Sequence, residues 1–278
     1  MSGGALALAL GAAVLHATWN VLLAGARNTA AATGGLIVWG VALLAIPAVL
    51  VADVSTSAIP FILASAALEL GYFLLLARAY DTGELSVVYP VARGVAPALV
   101  LVVGVTTGLG ERVGVLGAVG VLCIGGGVLL VSGGLSWIGH ARGAQGRTAS
   151  RDLGFGLAIA AAIAAYTLVD SEGVQRAAPV TYLALVLAPS AVLYPAVVRT
   201  GPDLGVRSAF TAAATLGAYL LVLFALELAP PAPVAAVRES SVVIATLLAA
   251  AFLGERVSAV RVAGSVLVVA GVAAIAYT

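Results

Sequence analysis

The chain has no lysine; all 13 of its basic residues are arginine. A Walker A phosphate loop requires Gly-Lys, and retinal or pyridoxal phosphate is held through a lysine Schiff base. ATP-driven pumping and both of those cofactor chemistries are therefore excluded. Charged residues make up only 9% of the 278, and the net charge is +1, which leaves no polycationic face for nucleic acid. One cysteine, Cys123, cannot form an intrachain disulfide, and its apolar surroundings read as the setting of a buried, inert thiol. What the sequence does have is apolar: 62% of residues are hydrophobic and the mean hydropathy is +1.16. Soluble chains run at about 45–50% apolar and about 25% charged, so the solvent of this protein must be lipid.

A membrane helix needs about 20 mostly apolar residues. Breaking the chain at charges and turn formers gives ten such stretches, at roughly 2–24, 33–52, 57–79, 85–108, 114–132, 153–170, 180–198, 208–228, 233–253 and 257–277. The expected fold is an all-α membrane protein of ten transmembrane helices. The first stretch does not read as a secretory signal, because no basic residue precedes or enters residues 1–15. The longest polar segment, 133–152, contains Gly-Gly, Gln145 and three arginines and reads as a linker between two halves, 1–132 and 153–278.

The halves repeat one another. Leu109-Gly110-Glu111-Arg112-Val113 closes the fourth stretch, and Leu253-Gly254-Glu255-Arg256-Val257 closes the ninth. Upstream, Val91-Ala92-Arg93 answers Ala236-Val237-Arg238 with one residue of slippage. Five spans per repeat is an odd number, so the second copy must enter the membrane inverted, the arrangement on which many secondary transporters are built. Each Gly-Glu-Arg can equally serve only to end a helix in the headgroups. Orientation follows the arginines. With the N-terminus inside, the cytoplasmic side would hold Arg112 and Arg176 alone. The other side would hold Arg27, Arg78, Arg142, Arg147, Arg151, Arg199, Arg207, Arg256 and Arg261. The reverse is expected: both termini outside and the linker cytoplasmic.

Two five-helix repeats, each closing on Leu-Gly-Glu-Arg, resemble the EamA-type carriers of the drug/metabolite transporter superfamily. His16-Ala17-Thr18-Trp19-Asn20 and Val237-Arg238-Glu239-Ser240-Ser241 add to the resemblance. It covers nearly the whole chain outside the linker. It implies a ten-helix bundle and secondary transport of small metabolites, commonly efflux of amino acids or related compounds. The expected setting is a bacterial cytoplasmic membrane, and no cofactor is expected.

Ionisable groups at bilayer depth cost roughly 2.5–3.5 kcal/mol by insertion scales and survive mainly where they face a cavity or a partner. His16, Glu69, Arg93, Arg238 and Glu239 lie well inside the spans; Asp170 and Glu227 sit near span ends, within reach of headgroups. Helical spacing puts His16, Trp19 and Asn20 on one face, Glu69, Tyr72 and Phe73 on another, and Tyr89, Arg93 and Pro97 on a third. Tyr166 shares a face with Asp170, Tyr219 is the polar aromatic of the eighth span, and Arg238 shares its face with Ser241 while Glu239 points about 100° away.

The functional reading is a central cavity lined by spans 1, 3, 4, 6, 8 and 9. Arg93 and Arg238 would bind a substrate carboxylate or phosphate, since a guanidinium suits bidentate recognition. Trp19, Asn20, Tyr72, Tyr89, Tyr166, Tyr219 and Ser241 would line the walls. Low dielectric favours the protonated form of a carboxyl, which makes Glu69 and Glu239, with His16, the candidates for proton coupling. The bland reading is internal pairing, Arg93 with Glu69 and Arg238 with Glu239 or another acid, which would fix helix packing. Gly117, Gly120, Gly264 and Gly271 permit close approach of spans 5 and 10, which would buttress the bundle or mediate a homodimer.

No Gly-x-Ser-x-Gly, His-Glu-x-x-His or paired metal-binding carboxylates occur, so an intramembrane enzyme is disfavoured. The expected partners are a small-molecule substrate and the lipid bilayer. A multidrug or lipophilic-cation exporter and a passive small-solute channel remain as alternatives.

Overall fold

The computed structural model describes residues 1–24, 26, 28–82, 85–109, 113–132, 146–244, 246–247 and 258–278, but not the side chains of 20, 21, 24, 80–82, 85–87 and 146–149. The described residues are helical apart from turns, one short 3₁₀ turn and an isolated bridge. In chain order the helices are α1 (Gly3–Ala24), α2 (Thr29–Leu50), α3 (Ile59–Thr82), α4 (Leu85–Thr107), α5 (Val115–Val131), α6 (Gly146–Gly173), α7 (Pro179–Val198), α8 (Val206–Leu226), α9 (Pro231–Arg238) and α10 (Ala259–Ala276). Each of the ten apolar stretches thus contains a helix, and among the described residues seven helices are long and apolar enough to cross a membrane. The helix starts are conventional. Asn28 Oδ1 accepts from the Ala31 N–H at 2.9 Å, Ser258 caps α10, and Pro179 and Pro231 open α7 and α9, where a missing N–H costs nothing.

The distribution of polarity is inverted relative to a soluble protein. Leu50, Ile46, Val115 and Val192 are exposed, whereas Glu69, Arg93, Asp170, Arg238 and Glu239 are buried. Water would reverse both sets; hydrocarbon stabilises them as found. The protein is an integral membrane protein.

Packing without a hydrophobic drive between helices relies on small residues. Helices α5 and α10 make the closest seam. A Cβ on Gly127 would come within 2.7 Å of the Gly264 carbonyl oxygen, and one on Gly271 within 2.6 Å of the Gly120 carbonyl oxygen. Residue 120 faces 271 while 127 faces 264, so the two helices run antiparallel. Gly117 instead approaches Val113. Cys123, on α5, is half-buried rather than enclosed. Elsewhere α1 packs on α8, α2 on α7 and α8, α3 on α6 and α7, and α4 on α6. The Met1 ammonium donates to the Ile275 carbonyl and the Thr278 hydroxyl, both at 3.4 Å, so the two termini lie at the same end of the bundle.

Backbone bonds join the halves at both ends. At one end the α2–α3 and α6–α7 loops form an antiparallel bridge at Val54 and Ala177. Ser55 N–H donates to the Arg176 carbonyl at 2.9 Å, and Ala178 N–H to the Asp53 carbonyl at 2.8 Å. At the other end, among the described residues, one backbone bond joins the α7–α8 loop to the first turn of α2, from Asp203 N–H to the Ala31 carbonyl at 2.8 Å. Arg207 Nη2 adds a bond to the Leu22 carbonyl at 2.9 Å.

Three expectations change. Helix α6 begins at Gly146, inside the segment read as linker; of that segment, 133–145 lie outside the described residues, as do 110–112 and 248–257 of the two Leu-Gly-Glu-Arg turns. The ninth span is not one continuous helix. It stops at Arg238, and helical geometry resumes only at 241–244. Across the break the backbone switches to i→i−3 bonding. Glu239 N–H donates to the Ala236 carbonyl and Ser240 N–H to the Val237 carbonyl, both at 3.0 Å. Asp170, placed by sequence within reach of headgroups, is instead only 1% exposed, because α6 runs on past it to Gly173.

Candidate functional site

Between the halves lies a cavity of about 70 Å³, lined by α1, α2, α3, α6, α7, α8 and α9. Its wall is largely aromatic and aliphatic: Trp19, Tyr72, Phe73, Tyr166 and Tyr219 with Leu23, Leu36, Leu183 and Leu187. Three ionisable groups beyond the tyrosines reach it, His16, Glu69 and Arg238. The Tyr72, Tyr166 and Tyr219 rings follow one another edge to face, with centroids 5.9 and 6.0 Å apart, a favoured arrangement of aromatic quadrupoles. Ligand pockets usually enclose about 300–1,000 Å³, so this one is contracted.

The cationic side of the site is a three-residue ion cluster. Glu239 is 0% exposed, and its Oε1 accepts from Arg238 Nη2 at 3.0 Å, from Arg238 Nε at 3.2 Å and from Arg93 Nη1 at 3.3 Å. Arg93 also stacks over the Tyr89 ring, 5.5 Å from its centroid. One buried carboxylate thus holds two guanidiniums, one from each half, and the cluster retains a net charge of +1. In a regular helix residues 238 and 239 diverge by about 100°. The break in α9 lets their side chains meet.

The anionic side is built on Asp170. Its Oδ1 accepts from the Ser65 hydroxyl at 2.5 Å and the Tyr182 hydroxyl at 2.8 Å, and its Oδ2 accepts from the Tyr219 hydroxyl. Three hydroxyl donors on two oxygens is the environment of an ionised carboxylate. Glu69, 5% exposed, lies next to Asp170 and within hydrogen-bonding reach of the same Tyr219 hydroxyl.

Of the residues expected to line the site, Trp19, Glu69, Tyr72, Tyr166, Tyr219 and Arg238 do so. Asn20 lies outside the described side chains. Arg93, Tyr89 and Ser241 are buried or half-buried behind the wall rather than in it, so α4 supplies the ion cluster and not the lining. Arg93 pairs with Glu239, not Glu69. Glu239 faces the arginines instead of pointing away from them. His16 Nδ1 accepts from Trp19 Nε1 at 3.0 Å, so that nitrogen is committed within α1. Sequence reasoning missed Ser65 and Tyr182 as partners of Asp170, and Thr33, Leu36, Leu183 and Leu187 as lining. Asp170 could have been found, since an acid on the face of Tyr166 already pointed inward.

Residues 152–277 match the model of the EamA-like transporter family. Among solved structures, one described as the crystal structure of a protein superposes with a TM-score of 0.79 at 17% identity, covering 100% of this chain and 98% of that chain. At that identity the likeness concerns the fold. No curated protein matches the sequence.

Proposed function

We propose that the chain, whose residues 152–277 match the EamA-like transporter family of the drug/metabolite transporter superfamily, is a member of that family and a secondary carrier of a small zwitterion or anion. The family is one of membrane transporters of small solutes, not of enzymes. The observation that carries the finer reading is that Arg238 and Glu69 line one aromatic cavity between the halves. A substrate carboxylate would meet the residual positive charge of the Arg93–Glu239–Arg238 cluster, and an ammonium group would meet Glu69. Amino acids and related metabolites have that pair of charges. Export from the cytoplasm, coupled to protons or to exchange, is the mode we assign.

Alternating access would come from two inverted five-helix repeats, 1–132 and 153–278, rocking about the cavity. Helix packing supports this. Exchanging each helix for the one five later maps α1–α8 onto α6–α3, α2–α8 onto α7–α3 and α4–α6 onto α9–α1, and maps α5–α10 and α2–α7 onto themselves. The antiparallel glycine seam of α5 and α10 fits the same inversion. Both termini would face outward and the linker the cytoplasm of a bacterial cell, as the arginines favour. The Asp53–Ala178 and Ser55–Arg176 bonds would then seal the outer end, and the Ala31–Asp203 contact the inner one.

A thermal-shift screen of the purified carrier in detergent against amino acids, nucleotides, sugars and lipophilic cations tests the reading. A ligand at a hundred times its dissociation constant stabilises by about 2.7 kcal/mol if it binds only the folded state. Stabilisation by an amino acid that disappears in Arg238→Gln supports it. Hits confined to lipophilic cations, surviving Arg238→Gln, would make drug export the function instead.

A further inference from the structure

The charges buried around the cavity balance only if one carboxyl is neutral. Arg93 and Arg238 contribute two positive charges that proteins do not titrate. Glu239 accepts from both, and Asp170 accepts from three hydroxyls, so these two carboxylates supply two negative charges. The sum is already zero. Asp152, also buried, does not line the cavity and pairs with Arg151 at 3.3 Å. Glu69, buried and on the cavity wall, is the remaining acid there, and an ionised Glu69 would be a second negative charge beside Asp170, with both guanidiniums already engaged by Glu239.

The hydrogen bonds of Tyr219 fit this charge distribution. A tyrosine hydroxyl has one proton, and that of Tyr219 is directed at Asp170 Oδ2. With that proton given to Asp170, the Tyr219 oxygen is left to accept, the role that a protonated Glu69 beside it can satisfy. The other groups around Glu69 are Asp170 and Tyr166 from α6, Tyr182 from α7 and Tyr72 from α3 itself, with His16 of α1 on the same wall. Among these only His16 could become cationic, and its Nδ1 accepts from Trp19. The two guanidiniums are both engaged by Glu239.

We propose that Glu69 holds one exchangeable proton, donated to the Tyr219 oxygen and backed by ionised Asp170, and that this is the coupling site of the carrier. The proposal deepens the carrier reading and rests on it for its consequence in transport. A substrate ammonium entering the cavity would take the place of that proton. The Glu69 O–H bond breaks, the proton leaves to water on the open side, and the new carboxylate binds the ammonium, so one proton is released for each cation bound. Asp170 does not line the cavity and keeps its charge throughout, which holds the Tyr219 hydroxyl in place as acceptor for the returning proton.

Infrared difference spectroscopy of the purified, ligand-free protein tests the protonation directly and needs no substrate. The wild type is expected to show a protonated-carboxyl C=O band at neutral pH that is lost in Glu69→Gln and retained in Asp170→Asn. In Tyr219→Phe the band should move to higher frequency, since its O–H loses an acceptor; this variant reads the same proton if Glu69→Gln fails to fold. Absence of the band in the wild type, or its persistence in Glu69→Gln, overturns the proposal. In proteoliposomes with an equimolar mixture of the twenty standard amino acids as probe, wild-type accumulation should follow an imposed pH gradient, and Glu69→Gln, which removes both the proton site and the carboxylate that meets the ammonium, should lose it. No flux in the wild type would defeat the carrier reading, whereas wild-type flux indifferent to the gradient would defeat only the coupling site.

Discussion

Arg238 and Glu239 are neighbours in the chain, yet the Arg238 guanidinium donates to Glu239 Oε1 through both Nη2 and Nε, at 3.0 and 3.2 Å. The contact exists because α9 ends at Arg238 and the backbone tightens for one turn. The same carboxylate receives Arg93 from the first half, so a break in one helix positions an ion cluster that ties the halves together.

Glu239→Gln should destabilise the protein severely. It leaves two buried guanidiniums without a counter-charge, and breaking a buried pair in this way costs about 3–5 kcal/mol. Arg93→Met should cost less, roughly 1.5–3 kcal/mol for the lost charged hydrogen bonds, because Glu239 keeps Arg238. Thermal unfolding in detergent ranks the two, and a milder Glu239→Gln would contradict the cluster.

Tyr182→Phe removes one of three donors from Asp170 and leaves the cavity lining, to which Tyr182 does not belong, unchanged. A hydrogen bond to a charged group contributes about 1.5–3 kcal/mol, and the melting temperature should fall accordingly. An unchanged melting temperature would mean that Asp170 does not depend on this bond.

Gly127→Ala places a Cβ 2.7 Å from the Gly264 carbonyl, backbone that cannot swing aside, and should cost roughly 1–3 kcal/mol. Gly126→Ala, whose Cβ would sit 3.8 Å from Leu267, should be tolerated. Equal stabilities for the two variants would show that the α5–α10 seam is looser than described.

Ala178→Pro deletes the N–H that donates to Asp53 without disturbing the backbone, since Ala178 already has φ −57° and precedes α7. One such bond contributes about 0.5–1.5 kcal/mol, a population shift of roughly two- to thirteen-fold toward the state open at this end. Labelling of a cysteine introduced at Leu183, on the cavity wall, should accelerate by that factor in a Cys123→Ala background. An unaltered rate would remove these loops from the gating account.

The sequence made the cavity half legible. Periodicity of 3.6 put His16 with Trp19 and Glu69 with Tyr72 and Phe73 on inward faces, and all five reach the wall. It failed where the period itself fails: the phase of Glu239 was read along a helix that stops one residue earlier. Asp170 looks peripheral in sequence because the apolar run stops there, whereas the helix continues three residues further, to Gly173. The contributions of α2 and α7 are carried by Leu36, Leu183 and Leu187, and on an apolar helix in lipid a leucine facing a cavity is indistinguishable from one facing acyl chains. Partner choice was equally hidden, since Arg93 had two acids within plausible reach and only the fold decides for Glu239.

The most direct test of the central claim is counterflow in proteoliposomes preloaded with the twenty-amino-acid mixture, comparing the wild type with Leu187→Trp, which fills the cavity. The carrier account predicts saturable, trans-stimulated uptake of labelled amino acids in the wild type and its loss in the variant. Uptake that neither saturates nor responds to internal substrate, or that survives with the cavity filled, would contradict it.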